Sequence, residues 1–191
     1  MHSGLPIVSF ADQAALERWL AQQPRDAKGV WIKFAKKDAG VASVTKADAI
    51  DSALCYGWID GQLNKYDANS WLTRFTPRKA RSKWSEINRT RALELISAGR
   101  MQPSGQAEID RAKADGRWRA AYASASKAEV PPDLRTALDA SPKAAALFAT
   151  LTGANRYAIL YRIGAVKKAE TRARKIGDFV AMLERGETVH G

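Results

Sequence analysis

The stretch from Arg74 to Asn88 carries the densest potential chemistry in the chain: Arg74, Arg78, Lys79, Arg81 and Lys83 lead up to Trp84, with Asn88 one helical turn further on. Cations gathered ahead of a helix suit an anion, because the free N–H groups of a first turn and the positive end of the helix dipole add to the side-chain donors. Ser82 reads as the start of that helix, Trp84 as a stacking surface and Asn88 as an amide contact for a phosphate or carboxylate ligand. The plainer alternative leaves the cations on a solvated loop, with Ser82 a cap and Trp84 and Ile87 in the core. Asp60 is the second candidate. It lies in a strand-like run between Ile59 and Gly61, where its carboxylate would face Arg74 on the neighbouring strand. There it would serve as a ligand anchor, a general base or one half of a cross-strand ion pair.

Other chemistries are poorly supplied. The only histidines are His2 and His190, each within two residues of an end, which speaks against a Ser-His-Asp or Cys-His arrangement and against a histidine-rich metal site. Cys55 falls at the end of a helical run, where the dipole disfavours a thiolate, and it reads as structural. No glycine-rich phosphate loop or dinucleotide fingerprint occurs, so neither a cofactor nor a metal is expected. An enzyme would have to work with Asp60 and the basic residues around it, and the sequence names no reaction.

The net charge of +11 bears on partners through its distribution: residues 1–70 are neutral, 71–119 carry +7 and 120–191 carry +4. Such a field favours a small anionic ligand and leaves nucleic acid as a further partner class, although no nucleic-acid-binding module is recognisable. The final helix carries its cations around several sides, as a solvated helix does. No run approaches the roughly 20 apolar residues of a membrane span, the first ten residues lack a basic export start, and one cysteine fits a reducing compartment. The expectation is a cytoplasmic protein without membrane insertion.

The elements that must position these residues read as follows. A helix is expected from Ala11 to about Gln22, then a strand over 29–36 with Val30, Ile32 and Phe34 on one face. Thr45 to Asp48 reads as a capping box opening a helix through Tyr56, ended by Gly57. Strands over 58–65 and 70–76 flank the turn Tyr66–Asn69. Helices follow from Lys83 to Ala98 and from Pro103 to Ala114. Residues 120–130 read as a linker. Beyond them come helices opened at Pro132, at Ser141-Pro142 and after Gly153, and a last helix with a seam of Val166, Ala169, Ala173, Ile176, Val180 and Leu183. The fold class expected is α+β: a small antiparallel three-stranded sheet with helices over 1–119, then a small all-α unit over 131–191.

Three strings of this sequence resemble the YdeI/OmpD-associated, or bacteriocin-protection, family: Ala53-Leu54-Cys55-Tyr56-Gly57-Trp58-Ile59-Asp60-Gly61, Arg74-Phe75-Thr76-Pro77-Arg78-Lys79, and Ser82-Lys83-Trp84-Ser85-Glu86-Ile87-Asn88. Gly99 to Gly105, Asp115 to Trp118 and the segment Glu170-Thr171-Arg172-Ala173-Arg174-Lys175-Ile176 extend the likeness over nearly the whole chain. The resemblance implies a role connected with stress or envelope resistance, porins and protection against bacteriocins or cationic peptides. A chain of +11 would repel a cationic peptide, so any such protection is expected to be indirect.

Overall fold

Apolar alternation along strand β2 (Val30–Ala35) buries Val30, Ile32 and Phe34 on one face of a sheet. In the computed structural model, which describes residues 1–123 and 128–190, that sheet has four strands in the order β1-β2-β4-β3. The others are β1 (Ile7–Ser9), β3 (Trp58–Lys65) and β4 (Ser70–Pro77). β2 and β3 both run antiparallel to β4, and β1 runs parallel to β2. The expected three-stranded antiparallel sheet thus gains a parallel edge strand. Three residues behind Pro6 carry too short a pattern to be read as a strand; β1 exists because β2 offers it an unpaired edge, and the Trp31 N–H donates to the Pro6 carbonyl at 2.9 Å.

Helix α1 (Gln13–Ala21) connects β1 to β2 and is capped by Asp12, whose carboxylate accepts from the Ala15 N–H at 2.7 Å. Helix α2 (Lys46–Cys55) begins as the capping pattern predicts: Thr45 Oγ1 accepts from the Asp48 N–H at 3.1 Å. The return bond differs, since the Thr45 hydroxyl donates to the Asp48 carboxylate at 2.7 Å. Ala49 and Ala53 of α2 join Leu16, Leu20 and the sheet in one core, while Leu54 and Cys55 join a second core with helices α3 (Glu86–Ser97) and α4 (Pro103–Ala114). A helix covered on both sides is short of polar surface, and the run from Asp51 to Cys55 is buried throughout. The closest crossing is at Gly105, where a Cβ would stand 2.1 Å from the Cys55 carbonyl oxygen, so only glycine fits.

The described residues divide into two compact units, Met1–Ala121 and Tyr122–Gly191. The second holds α5 (Pro132–Asp139), α6 (Pro142–Thr150), α7 (Gly153–Gly164) and α8 (Ala169–Glu184) around Leu134, Phe148, Ile159, Ile163, Ile176 and Leu183. Of the expected linker at 120–130, residues 124–127 lie outside the described residues. The seam of α8 is also corrected. Ala169 and Ala173 are exposed and the packed stripe is Ile176, Phe179 and Leu183, continued backwards by Arg172. Arg172 lies there because it is paired, with its guanidinium against Asp133 at 2.6 Å and the Ile163 carbonyl at 2.8 Å. No helix among the described residues is long and apolar enough to cross a membrane.

Candidate functional site

Arg78 leaves the end of β4 with its N–H donating to the Gly57 carbonyl at 2.9 Å, which fixes the chain beside the end of α2. Its side chain turns inward rather than toward solvent and is only 5% exposed. The guanidinium carbon lies 3.6 Å from the centroid of the Trp84 ring, and Nη1 donates to the Lys83 carbonyl at 3.2 Å. A desolvated cation–π stack of this kind contributes on the order of 2 kcal/mol. The intervening turn is closed by the Lys79 N–H donating to Ser82 Oγ and the Ser82 N–H donating to the Lys79 carbonyl, each at 2.9 Å. From the far end of the unit, Arg117 Nη1 donates to the Ser82 carbonyl at 2.8 Å.

Trp84 is 1% exposed. Besides Arg78 it meets the edge of Trp118, ring centroids 4.8 Å apart, and Arg89 Nη1 holds the Trp118 carbonyl at 3.2 Å. The tryptophan predicted as a ligand-stacking surface is therefore occupied by protein, and Arg78 is its partner. The helix that was to start at Ser82 starts at Glu86. Ser85 is the cap, its Oγ accepting the Asn88 N–H at 3.1 Å, while Ser82 closes the preceding turn. Two serines three residues apart both fit a start signal, and the one that caps the helix is the one that follows the buried Trp84.

The predicted set separates in space. Lys79, Arg81 and Lys83 are exposed on the turn, and Arg78, Trp84 and Asn88 are wholly or partly buried beneath or beside it. Asp60 and Arg74 are elsewhere, and not together. Asp60 lies opposite Phe75 in the β3–β4 ladder, on the face covered by helices, whereas Arg74 lies opposite Trp31 on the other face. Side chains alternate along a strand, so the expected Asp60–Arg74 pairing is excluded by register. A bulge between Asp60 and Leu63 adds to the offset.

A second constellation was not anticipated. Asp51, buried on α2, receives Arg91 of α3 in a two-pronged contact of 2.7 and 2.5 Å. Arg91 also meets Glu94 at 2.5 Å. Arg100 Nη2 donates to Glu17 Oε1 at 2.9 Å and its Nη1 lies 3.9 Å from Asp51; Ser52 Oγ donates to the same Glu17 oxygen at 2.9 Å. The carboxylates of Asp51 and Glu94 hold Arg91 above the ordinary arginine range. One turn on, burial pushes the Cys55 thiol up to about 11, with Arg100 opposing in part. Burial, together with Glu17 and Cys55, likewise raises Tyr56. The signal in the sequence was Asp51-Ser52 inside an otherwise apolar helical stripe, since a buried carboxylate requires a partner. The cluster ties α1, α2 and α3 together, with positive and negative groups nearly balanced. Among the described residues no group of three or more His, Cys, Asp and Glu is placed to hold a metal ion.

Comparison with known families divides the chain. Residues 8–108 match a domain of unknown function, DUF8412, and residues 127–186 match the bacteriocin-protection, YdeI or OmpD-associated family. The likeness to the latter, expected over nearly the whole chain, is found in its C-terminal part. No curated protein and no solved structure matches the chain.

Proposed function

Because the chain belongs to the DUF8412 family through residues 8–108 and carries a bacteriocin-protection, YdeI or OmpD-associated segment at 127–186, we propose that it is an envelope-resistance protein whose first unit binds a small anionic ligand at the turn 78–86. The observation that carries this reading is the Arg78–Trp84 stack at 3.6 Å. It commits one cation to the interior, and by doing so it pins a turn from which Lys79, Arg81 and Lys83 project outward. Glu86 is the only acidic residue between 78 and 88, so the turn presents an excess of positive charge ahead of α3.

The contact set accordingly narrows to Lys79, Arg81 and Lys83, with Arg78 and Trp84 as positioning residues. Exposed ion pairs contribute about 0.2–1 kcal/mol each, so three of them support weak, salt-sensitive binding of a phosphate or polycarboxylate. An enzyme built on Asp60 with Arg74 gains no support from two side chains on opposite faces of the sheet. A basic turn also disfavours direct capture of a cationic peptide, so protection would operate through the anion. The same cations would accept a nucleic-acid backbone, which would show itself in an affinity falling steeply with salt.

Calorimetric titration with inorganic phosphate and with citrate tests the proposal. Binding is expected in the wild type and lost in Lys79→Glu/Arg81→Glu/Lys83→Glu, whose melting temperature stays close to wild type. Anion binding that survives the triple substitution would sink the assigned site.

A further inference from the structure

The sheet has a second face, and it is only half covered. Side chains pointing away from the helices are Ile7 and Ser9 from β1, Trp31, Lys33 and Ala35 from β2, and Ser70, Leu72 and Arg74 from β4, as the strand pairings require. At one end Leu5 packs with Trp31 and Leu72, and His2 sets its ring edge-on to Trp31 at 4.7 Å. At the other end, Ser9, Lys33 and Ser70 lie side by side where the covered half has apolar residues. The loop 39–43 and the hairpin turn 67–69 rise beside them and border an open cavity of about 370 Å³. That volume falls within the roughly 300–1,000 Å³ usual for small-molecule sites.

The lining is chemically specific. Lys33 Nζ stands 3.4 Å from Asp67 Oδ2, and the ammonium also sits 4.8 Å from the centre of the Tyr66 ring. The Ser70 hydroxyl, the Asn69 N–H and Lys33 hold the Asp67 carboxyl below the usual carboxylate range, so it is ionised at neutral pH. The cavity therefore presents one fixed cation and one fixed anion side by side, both part-exposed. A singly charged ligand would meet its own sign as well as the opposite one. A molecule carrying an ammonium and a carboxylate on one carbon meets both favourably, exchanging one loose 3.4 Å pair for two. One wall is aliphatic: Ala35, Ala39, Ala42 and Val41, the last 68% exposed, which leaves apolar surface for a ligand side chain to cover.

We propose that this cavity is a binding site for an aliphatic α-amino acid, with its carboxylate on Lys33, its ammonium on Asp67 and its side chain against Val41. The Ser9 hydroxyl lines the polar side and completes the hydrogen bonding of the carboxylate. The site is separate from the basic turn, and neither depends on the other.

The test is a two-dimensional amide NMR titration of the full chain with L-valine, run alongside N-acetyl-L-valine and L-valinamide. L-Valine is expected to bind with an affinity between about 10 μM and 1 mM and to shift the amides of Lys33, Val41, Asp67 and Ser70. Each blocked analogue, having lost one charge, is expected to bind at least about tenfold more weakly, which corresponds to 1.4 kcal/mol. Lys33→Met and Asp67→Asn should each reproduce that loss while leaving phosphate binding at the 78–86 turn unchanged. No shift with L-valine, or equal binding of all three ligands to the wild type, would overturn the assignment whether or not the variants fold.

Discussion

Around α2, Arg91 and Arg100 meet Asp51, Glu17 and Glu94, whereas the turn from Arg78 to Lys83 gathers four cations with Glu86 as its only acidic neighbour. The two places lie in the same unit and use the same side chains. In the first, cation and carboxylate cancel between three helices, and the product is a fixed packing of α1, α2 and α3. In the second, one arginine is spent on a tryptophan, and Lys79, Arg81 and Lys83 are exposed on the turn. Arginine content alone does not separate a fastening from a binding surface; what the guanidinium packs against, a carboxylate or an indole ring, differs between the two places.

Substitutions should separate the two further. The largest effect is expected at Trp84, since Trp84→Ala removes a fully buried indole and the surface on which Arg78 rests. A loss of about 3–5 kcal/mol should appear as a lower denaturation midpoint. A loss under about 1 kcal/mol would mean that the turn is not pinned by this stack. Asp51→Ala comes next, at about 2 kcal/mol or a melting temperature lower by roughly 4–8 °C, discounted because its arginine partner is part-exposed. The double variant Asp51→Ala/Arg91→Met should recover part of that loss, because it removes the stranded cation as well. If the double variant is no better than the single, the network is not an electrostatic fastening.

Cys55 gives the cleanest sign. Its folded-state pKa of about 11 exceeds the ordinary 9.0, so folding favours the neutral thiol. That contribution to stability is complete below about pH 9 and is lost as pH rises through about 11. Stability measured by denaturant across this window should fall more steeply in the wild type than in Cys55→Ala. Labelling by a thiol reagent at pH 8 should proceed only as fast as the unit opens. Prompt labelling of the native protein would show that the thiol is neither buried nor raised.

The cap at Thr45, the ends of β3, the start of β4, and α4 from Pro103 to Ala114 follow from local signals, and the structure has them where the pattern puts them. The start of α3 does not, because Ser82 and Ser85 offer the same local chemistry and the choice falls to whichever backbone path lets Trp84 reach Leu95 and Ile109. Strand β1 is likewise supplied by its neighbour rather than by its own three residues.

The candidate site divides in the same way. That positive charge collects between 74 and 88, and that Asp60 and Arg74 sit in adjoining strands, is written in the order of the residues. Whether two such side chains meet depends on parity: closure of the hairpin at Lys65 and Trp71, with the bulge at 60–63, sets a register that sends them to opposite faces. Similarly, the sequence determines that Lys33, Asp67 and Ser70 exist and that Arg78 is basic, but not that the first three line one cavity or that the fourth turns inward. Those outcomes required the sheet and the packed helices, because long-range contacts, not neighbours in the chain, decide which polar groups lose their water and must find a partner.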